Sequence, residues 1–444
     1  MTKFAIITIG VLFAAKCMAD THYVSLSGTN NSPYLNWADA ATDVTWAVTA
    51  AGANDTVLVT NGVYYPTQRC YNASAITLRS VNGRDVTLIN GANNTNTCAS
   101  LGSGSVFDGF TVTNCNTIVY GLVSSPTVRN CLFVKNTATA GGIVFNPTSI
   151  TNCIFKNNTG VLGAGVYASI GNPGQDITIA GCHFEGNRAT VYYGGACDLR
   201  RPQNIVSNCV FINNSAPQYG GGLFISANST NNLIVNCSFT ENICAGSWGL
   251  GGGIRASGKT TIRNCSIIGN IATNQGGGIW GTNVTIQNCM IARNSSVTNI
   301  GGGIWATNCN IESCTIVSNY AKVAGGGVYL DGPGNGTNNI IYFNTAGISA
   351  NNFTNTAGNT SLNYSCVIPA VDGTGNITNN PLLLDLDGGN YRLRVNSPCV
   401  NAGINQNWMT NAIDLDGIQR IRYGIVDMGA YEAVLRQGNI YRVH

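Results

Sequence analysis

The sequence predicts an all-β fold, a single-stranded parallel β-helix whose coils build three sheets behind an N-terminal capping helix. The first observation is a repeat between Asn130 and Leu330, Cys-x-apolar-x-x-Asn in eight copies, each followed after a gap by a glycine-rich segment that reads Gly-Gly-Gly-apolar in five. Its best copy is Asn264-Cys265-Ser266-Ile267-Ile268-Gly269-Asn270 followed by Gly276-Gly277-Gly278-Ile279-Trp280. The second is its period. Cys131, Cys153, Cys182, Cys209, Cys237, Cys265, Cys289 and Cys314 lie 22 to 29 residues apart. That suits one coil of a three-stranded solenoid, and the signatures of leucine-rich and ankyrin repeats are absent. The third is composition. Charged residues make up only 9% of the chain, and Gly, Asn, Thr and Ser separate short β-branched runs. A disordered charged chain and a helical solenoid are both excluded.

The chain divides into a leader (1–19), a cap (20–60), a solenoid (61–380) and a C-terminal module (381–444). Lys3, the apolar run Phe4 to Ala15 and Cys17-Met18-Ala19 form the three parts of a secretory signal, too short to span a membrane. No later stretch offers a transmembrane segment. Removing Lys3 and Lys16 takes the formal net charge from +3 to +1. A chain so nearly neutral gives no electrostatic basis for binding nucleic acid or an anionic membrane.

His22 to Ser25 predicts a strand. Trp37, Ala40, Ala41, Val44, Ala47 and Val48 recur at helical spacing and predict one helix over 37–51, ended by Gly52. Strands resume at Asp55 to Val59, Gly62 to Tyr65, Ile76 to Leu78 and Val86 to Ile89, with turns at Asn61-Gly62 and Asn82-Gly83. This opening resembles that of secreted right-handed parallel β-helix proteins of the pectin-lyase-like superfamily. The resemblance implies the right-handed coil and a helix covering its first, open end, which would otherwise expose an unpaired edge.

Within the repeat each cysteine is followed five residues later by an asparagine: Asn136, Asn158, Asn187, Asn214, Asn242, Asn270, Asn294 and Asn319. Stacked coils lie about 4.8 Å apart, so equivalent residues form columns. An amide in such a column donates to one neighbour and accepts from the other. The cysteines read as a buried column of free thiols, because in-register Cβ atoms about 4.8 Å apart exceed the disulfide separation of about 3.8 Å. Cys70, Cys98, Cys366 and Cys399 lie off the column and are the better disulfide candidates. About 340 residues at some 25 per coil give roughly fourteen coils.

The glycine triplet with Phe-x-x-Asn (Phe133 to Asn136, Phe155 to Asn158, Phe184 to Asn187, Phe211 to Asn214, Phe239 to Asn242) resembles the repeats of chlamydial polymorphic outer-membrane adhesins. That likeness implies a surface location, although nothing after Leu330 reads as the β-barrel in which those proteins end. Further on come Pro381 to Leu384, Tyr391-Arg392-Leu393, Ser397-Pro398-Cys399-Val400-Asn401-Ala402-Gly403, Asp414-Leu415-Asp416-Gly417 with Arg420, and Val426-Asp427-Met428-Gly429-Ala430-Tyr431-Glu432. This series resembles the terminal module of secreted bacterial β-helix proteins called choice-of-anchor Q, usually followed by an anchoring tail. Ala433 to His444 carry no apolar anchor.

Chemistry is less legible. The clustered aspartates and Gly-His-Gly of galacturonan hydrolases are missing. The densest polar group runs from His183 to Arg201. Within it Glu185, Tyr193, Asp198 and Arg200 are the catalytic candidates for a polysaccharide lyase, which needs a base and a cation at a uronate carboxyl. The competing reading is a solvated loop with ion pairs. A second pattern is the residue after each glycine triplet and its apolar follower: Tyr167, Asp198, Phe224, Arg255, Trp280, Trp305 and Tyr329. Strand alternation turns this position outward, where aromatic rings can dock a sugar face or a partner surface. A structural stack covered by loops would use the same residues. No cofactor or metal site is implied beyond a structural calcium at Asp385-Leu386-Asp387-Gly388 or Asp414 to Gly417, which read equally as capping turns. The sequence therefore points to a secreted or cell-surface monomer that binds a polysaccharide, a cell-surface glycan or a protein without catalysis, adhesin-like. The other classes are a lyase or hydrolase of acidic polysaccharide and a purely structural surface protein.

Overall fold

The computed structural model describes residues 19–91, 98–116, 119–120, 126–169, 176–356 and 360–434. All of the leader but Ala19 lies outside them. Each regular coil contributes four short segments, seen in Val166–Ala168, Ile177–Ala180, His183–Glu185 and Arg188–Ala189. Every segment pairs in parallel and in register with its counterpart one coil on, for example Val166 with Cys197 and Phe184 with Phe211. The first two segments fuse in Ile279–Gln287 and Ile304–Glu312, so their columns form one 24-stranded sheet. The third segments make a 13-stranded sheet and the fourth an 8-stranded one. The three sheets are those expected. The stack is somewhat shorter than the fourteen coils inferred from length, because residues after Val367 leave the solenoid.

The cap is built from side-chain hydrogen bonds. The helix spans Val44–Ala50, seven residues rather than the fifteen predicted from Trp37. Asp43 stops it earlier by accepting from the Thr45 amide at 2.8 Å as N-cap. Ahead of it, Asn36 and Asp39 bond each other locally and Trp37 packs edge-on to Tyr23, centroids 4.4 Å apart. At the other end Asn72 Nδ2 donates to the carbonyls of Val48 (2.7 Å) and Ala51 (2.8 Å), groups a helix end leaves unpaired.

Inside the solenoid the repeat becomes columns. Phe155, Phe184, Phe211 and Phe239 stack with centroids 4.5 to 4.8 Å apart. The asparagine column is fully buried. Asn214 donates from Nδ2 to Phe184 O and to Asn242 Oδ1, and this recurs up to Asn319, then passes to Asn344 and Asn352. The eight column cysteines are free, and each Sγ donates to the carbonyl two residues earlier, as Cys265 does to Arg263 at 3.1 Å. Off the column, Cys98 is bonded to Cys115, whereas Cys70 is a buried thiol beside Thr45 that burial pushes up to about 12. The first glycine of each triplet takes a positive φ, as at Gly251 (73°) and Gly276 (65°), a backbone that other residues adopt at a cost.

Residues 381–434 fold back over the outer face of the 13-stranded sheet. Leu383, Tyr391, Leu393, Met428 and Ala433 pack on Met290, Ala292, Val317 and Ile340. Polar docking contacts reach far along the chain: Asn288 donates to Ile413 O, Asn338 to Ile404 O, and Ala430 to Thr315 Oγ1. The two Asp-Leu-Asp-Gly segments form turns, with Asp385 accepting from Gly388 N and Asp414 from the amides of Asp416 and Ile418. Arg420, fully buried, holds the module's acidic centre. It donates to Asn288 Oδ1 (3.1 Å) and Gly429 O (2.9 Å) and lies 3.3 Å from Glu432.

Glu432 pairs with that guanidinium, whose Nη2 also donates to the Asp427 carbonyl at 3.2 Å, and the charges of Asp414 and Asp427 act on it too. Burial raises the Glu432 pKa from 4.5 to about 8, against the pull of Arg420 and the Asp427 amide. The folded protein then keeps a proton that the unfolded chain releases, so stability falls as pH rises from about 4.5 to about 8. The urea midpoint is expected to be lower at pH 8.5 than at pH 6, and Glu432→Gln to flatten most of that slope. Equal wild-type midpoints would contradict it.

Candidate functional site

The outward position after each glycine triplet forms one unbroken column. Tyr167 pairs with Asp198, Asp198 with Phe224, Phe224 with Arg255, Arg255 with Trp280, Trp280 with Trp305, and Trp305 with Tyr329. Phe145 precedes it, edge-on to Tyr167 at 5.2 Å. The preceding apolar residues Val166, Leu223, Ile254, Ile279 and Ile304 are buried in the core, so pleating turns this column away from it.

A second column lies beside the first. The residue before each triplet, Tyr193, Tyr219, Leu250 and Gln275, forms its own parallel bridges. Tyr193 stacks on Tyr219 (4.7 Å) and on Phe224 (4.8 Å), and Gln275 Oε1 accepts from Trp280 Nε1 at 3.2 Å. The tyrosines immediately before the glycines carried the signal for the second column.

Charge is threaded through this aromatic surface. Arg200 grips Asp198 with two bonds of 2.8 and 2.7 Å, and its guanidinium lies over the rings of Tyr167, Tyr193 and Phe224. Asp198 is wholly buried, and burial raises its carboxyl to about 6 although Arg200 and Arg255 oppose the shift. Arg255 sits between Phe224 (4.9 Å) and Trp280 (4.6 Å), and 4.5 Å from the Tyr219 ring. Its Nε, and Nε1 of Trp305 two coils on, find no acceptor among the described residues. Burial lowers the Arg255 pKa, as a guanidinium without a hydrogen-bonded carboxylate requires.

The structure brings together Tyr193, Asp198 and Arg200 but leaves Glu185 elsewhere. Glu185 lies on the 13-stranded sheet, 2.9 Å from Lys156 and 3.4 Å from His183, and its hydrogen bonds, above all that from Lys156, hold its pKa down. The rings are also less open than flat docking platforms. Trp280 and Trp305 stack at 4.7 Å with 11° between their planes, and Phe224 and Trp305 are only 5% and 7% exposed. Stacking along the axis occupies ring faces and leaves edges, the guanidinium and the half-buried Tyr167, Trp280 and Tyr329 towards solvent. Among the described residues no group of three or more His, Cys, Asp or Glu side chains could hold a metal ion.

Coils stacked through three parallel sheets define a β-solenoid, here a right-handed parallel β-helix. Residues 146–253 and 169–346 match the family model described as the right handed beta helix region. No curated protein matches the chain. Among solved structures it is similar to pectate lyase Pel9A, at 14% identity, with 94% of this chain and 98% of that one covered and a TM-score of 0.38. It is also similar to the A-module of the mannuronan C-5 epimerase AlgE6 of Azotobacter vinelandii (15%, 76% and 94%, 0.39). A third is a rhamnogalacturonan lyase (12%, 85% and 95%, 0.36). No helix of the described residues is long and apolar enough to cross a membrane.

Proposed function

We propose that this protein is a secreted, non-catalytic β-helix that binds a polysaccharide or cell-surface glycan along the paired columns around Arg255. The observation that carries the reading is Arg255 itself, a half-buried guanidinium held between aromatic rings whose Nε has no acceptor among the described residues. A buried donor left unpaired costs about 1–3 kcal/mol, which a ligand oxygen would recover. The neighbouring ring edges supply apolar area, and the rod repeats them at coil spacing, as an extended polymer requires. Secretion is the role assigned to the leader at 1–19.

The reading is tested on a panel of neutral and acidic polysaccharides by affinity electrophoresis and calorimetry. Arg255→Ala and Trp280→Ala are each expected to weaken binding by roughly ten- to a hundredfold. A wild-type chain that binds nothing, or variants that bind as tightly as it does, would sink the proposal.

The clustering of Tyr193, Asp198 and Arg200 favours a second reading, a lyase. Against it, both Asp198 oxygens are taken by Arg200 and the side chain is fully buried, so a substrate would meet Arg200 before the carboxylate. Release of unsaturated uronides, absorbing in the near-ultraviolet, from an acidic polysaccharide would establish the lyase instead.

A further inference from the structure

Cys366 and Cys399 meet where the terminal module docks on the last rung of the solenoid. We propose that in an oxidising compartment they form a disulfide, a covalent latch between the two. Cys366 opens the strand Cys366–Val367, which closes the 13-stranded sheet against Ile340–Tyr342. Cys399 belongs to the module, where its carbonyl accepts from Met428 N at 3.0 Å and its amide donates to Ser397 Oγ at 3.1 Å. Both side chains are fully buried in the cluster that joins module to sheet. Both are free thiols in the structure; Cys366 Sγ donates to Asn379 O at 3.2 Å, and the neighbouring Cys399 side chain, together with burial, raises its pKa.

The column cysteines also neighbour one another, but along a parallel, in-register stack. Those thiols sit at equivalent positions of successive coils, about 4.8 Å apart, each donating to a carbonyl as Cys366 does. Cys366 and Cys399 instead come from unlike segments, as do Cys98 and Cys115, which are already bonded near the other end of the rod. The proposed bond would therefore mirror that one. It would also close the 366–399 connection into a loop, restricting the undocked state of the module.

The chemistry is an exchange. One thiolate attacks a disulfide of glutathione or of a thiol–disulfide oxidoreductase, giving a mixed disulfide and one released thiol. The second cysteine then displaces the other half. Two protons and two electrons leave the chain, and the oxidant becomes two thiols. Because both sulfurs are buried once docked, the exchange belongs to folding, before the module closes.

The test uses the full chain secreted into an oxidising compartment, unfolded in iodoacetamide without reductant and mapped by mass spectrometry. The expected result is a linked peptide pair containing Cys366 and Cys399, two hydrogens lighter than the separate thiol peptides, with column cysteines such as Cys237 alkylated. Cys98–Cys115 reports that the sample is oxidised. Alkylation of both Cys366 and Cys399 in protein whose Cys98 and Cys115 are linked overturns the proposal. As a second measure, reductant should hasten proteolysis of the 381–434 module in the wild type and have no such effect in Cys399→Ser. A wild-type rate indifferent to reductant removes the latch role.

Discussion

Gly252→Ala is expected to abolish soluble expression or to leave a chain that unfolds several kcal/mol more easily. The middle glycine of each triplet lies where one coil's backbone touches the next. A Cβ on Gly252 would fall 2.3 Å from Gly277 O and 2.5 and 2.6 Å from the Ile271 backbone. All three neighbours are main chain in hydrogen-bonded strands, so none can swing aside as a side-chain tip would. Relief requires two coils to separate, breaking bonds such as Gly252 N to Gly276 O at 3.1 Å. Overpacking a core commonly costs about 1–3 kcal/mol, and this site stands at or beyond the upper end because nothing there is flexible. Gly181→Ala separates crowding from backbone strain. Gly181 has φ +61° and nothing within 4 Å of the added carbon, so only left-handed strain of about 1–2 kcal/mol applies. Urea midpoints should put Gly181→Ala well above Gly252→Ala. Equal losses would mean that the crowding around Gly252 is relieved without parting the coils.

The same contrast separates what could be read in the sequence from what could not. Columns were legible because a parallel, in-register stack puts like residues on like, so Cys237, Asn242 and Gly252 repeat at coil spacing. The outward column was legible for the same reason, down to Trp280 beside Trp305. Its covering was not, because whether Tyr193 and Tyr219 lie over Phe224 depends on how the loop before the triplet bends. Glu185 misled because it is only 13 residues from Asp198, yet a corner at Asn187 and the short strand Arg188–Ala189 carry the chain to another face. The docking of the terminal module left no local trace. Asn288 and Ile413 are 125 residues apart and share no repeat, and only the folded chain brings them together. The Cys98–Cys115 bond was half legible, since Cys98 falls off the column but its partner sits before the regular repeat begins.

Asn242→Leu is the complementary experiment, removing polarity where Gly252→Ala adds volume. Asn242 is fully buried and all its polar atoms are engaged. Its Oδ1 accepts from the Asn214 amide at 3.0 Å and from Asn214 Nδ2 at 2.9 Å, and its Nδ2 donates to Phe211 O at 3.0 Å and Asn270 Oδ1 at 2.9 Å. Leucine keeps the branching and the number of side-chain heavy atoms and supplies none of these partners, so two donors and one acceptor on the preceding coil and one acceptor on the following coil are stranded away from water. With each stranded group costing about 1–3 kcal/mol, the loss should be about 4 kcal/mol, read as a fall in the urea midpoint at unchanged m-value. Asn236→Ala on the outer turn is the control. Asn236 is exposed, gives one side-chain bond of 3.2 Å to Asn208, and has φ 54°. Its replacement should cost only about 1–2 kcal/mol, from the left-handed backbone. If the two variants lose stability equally, the buried amide column is not what holds the coils together, and the hydrophobic columns beside it carry the rod alone.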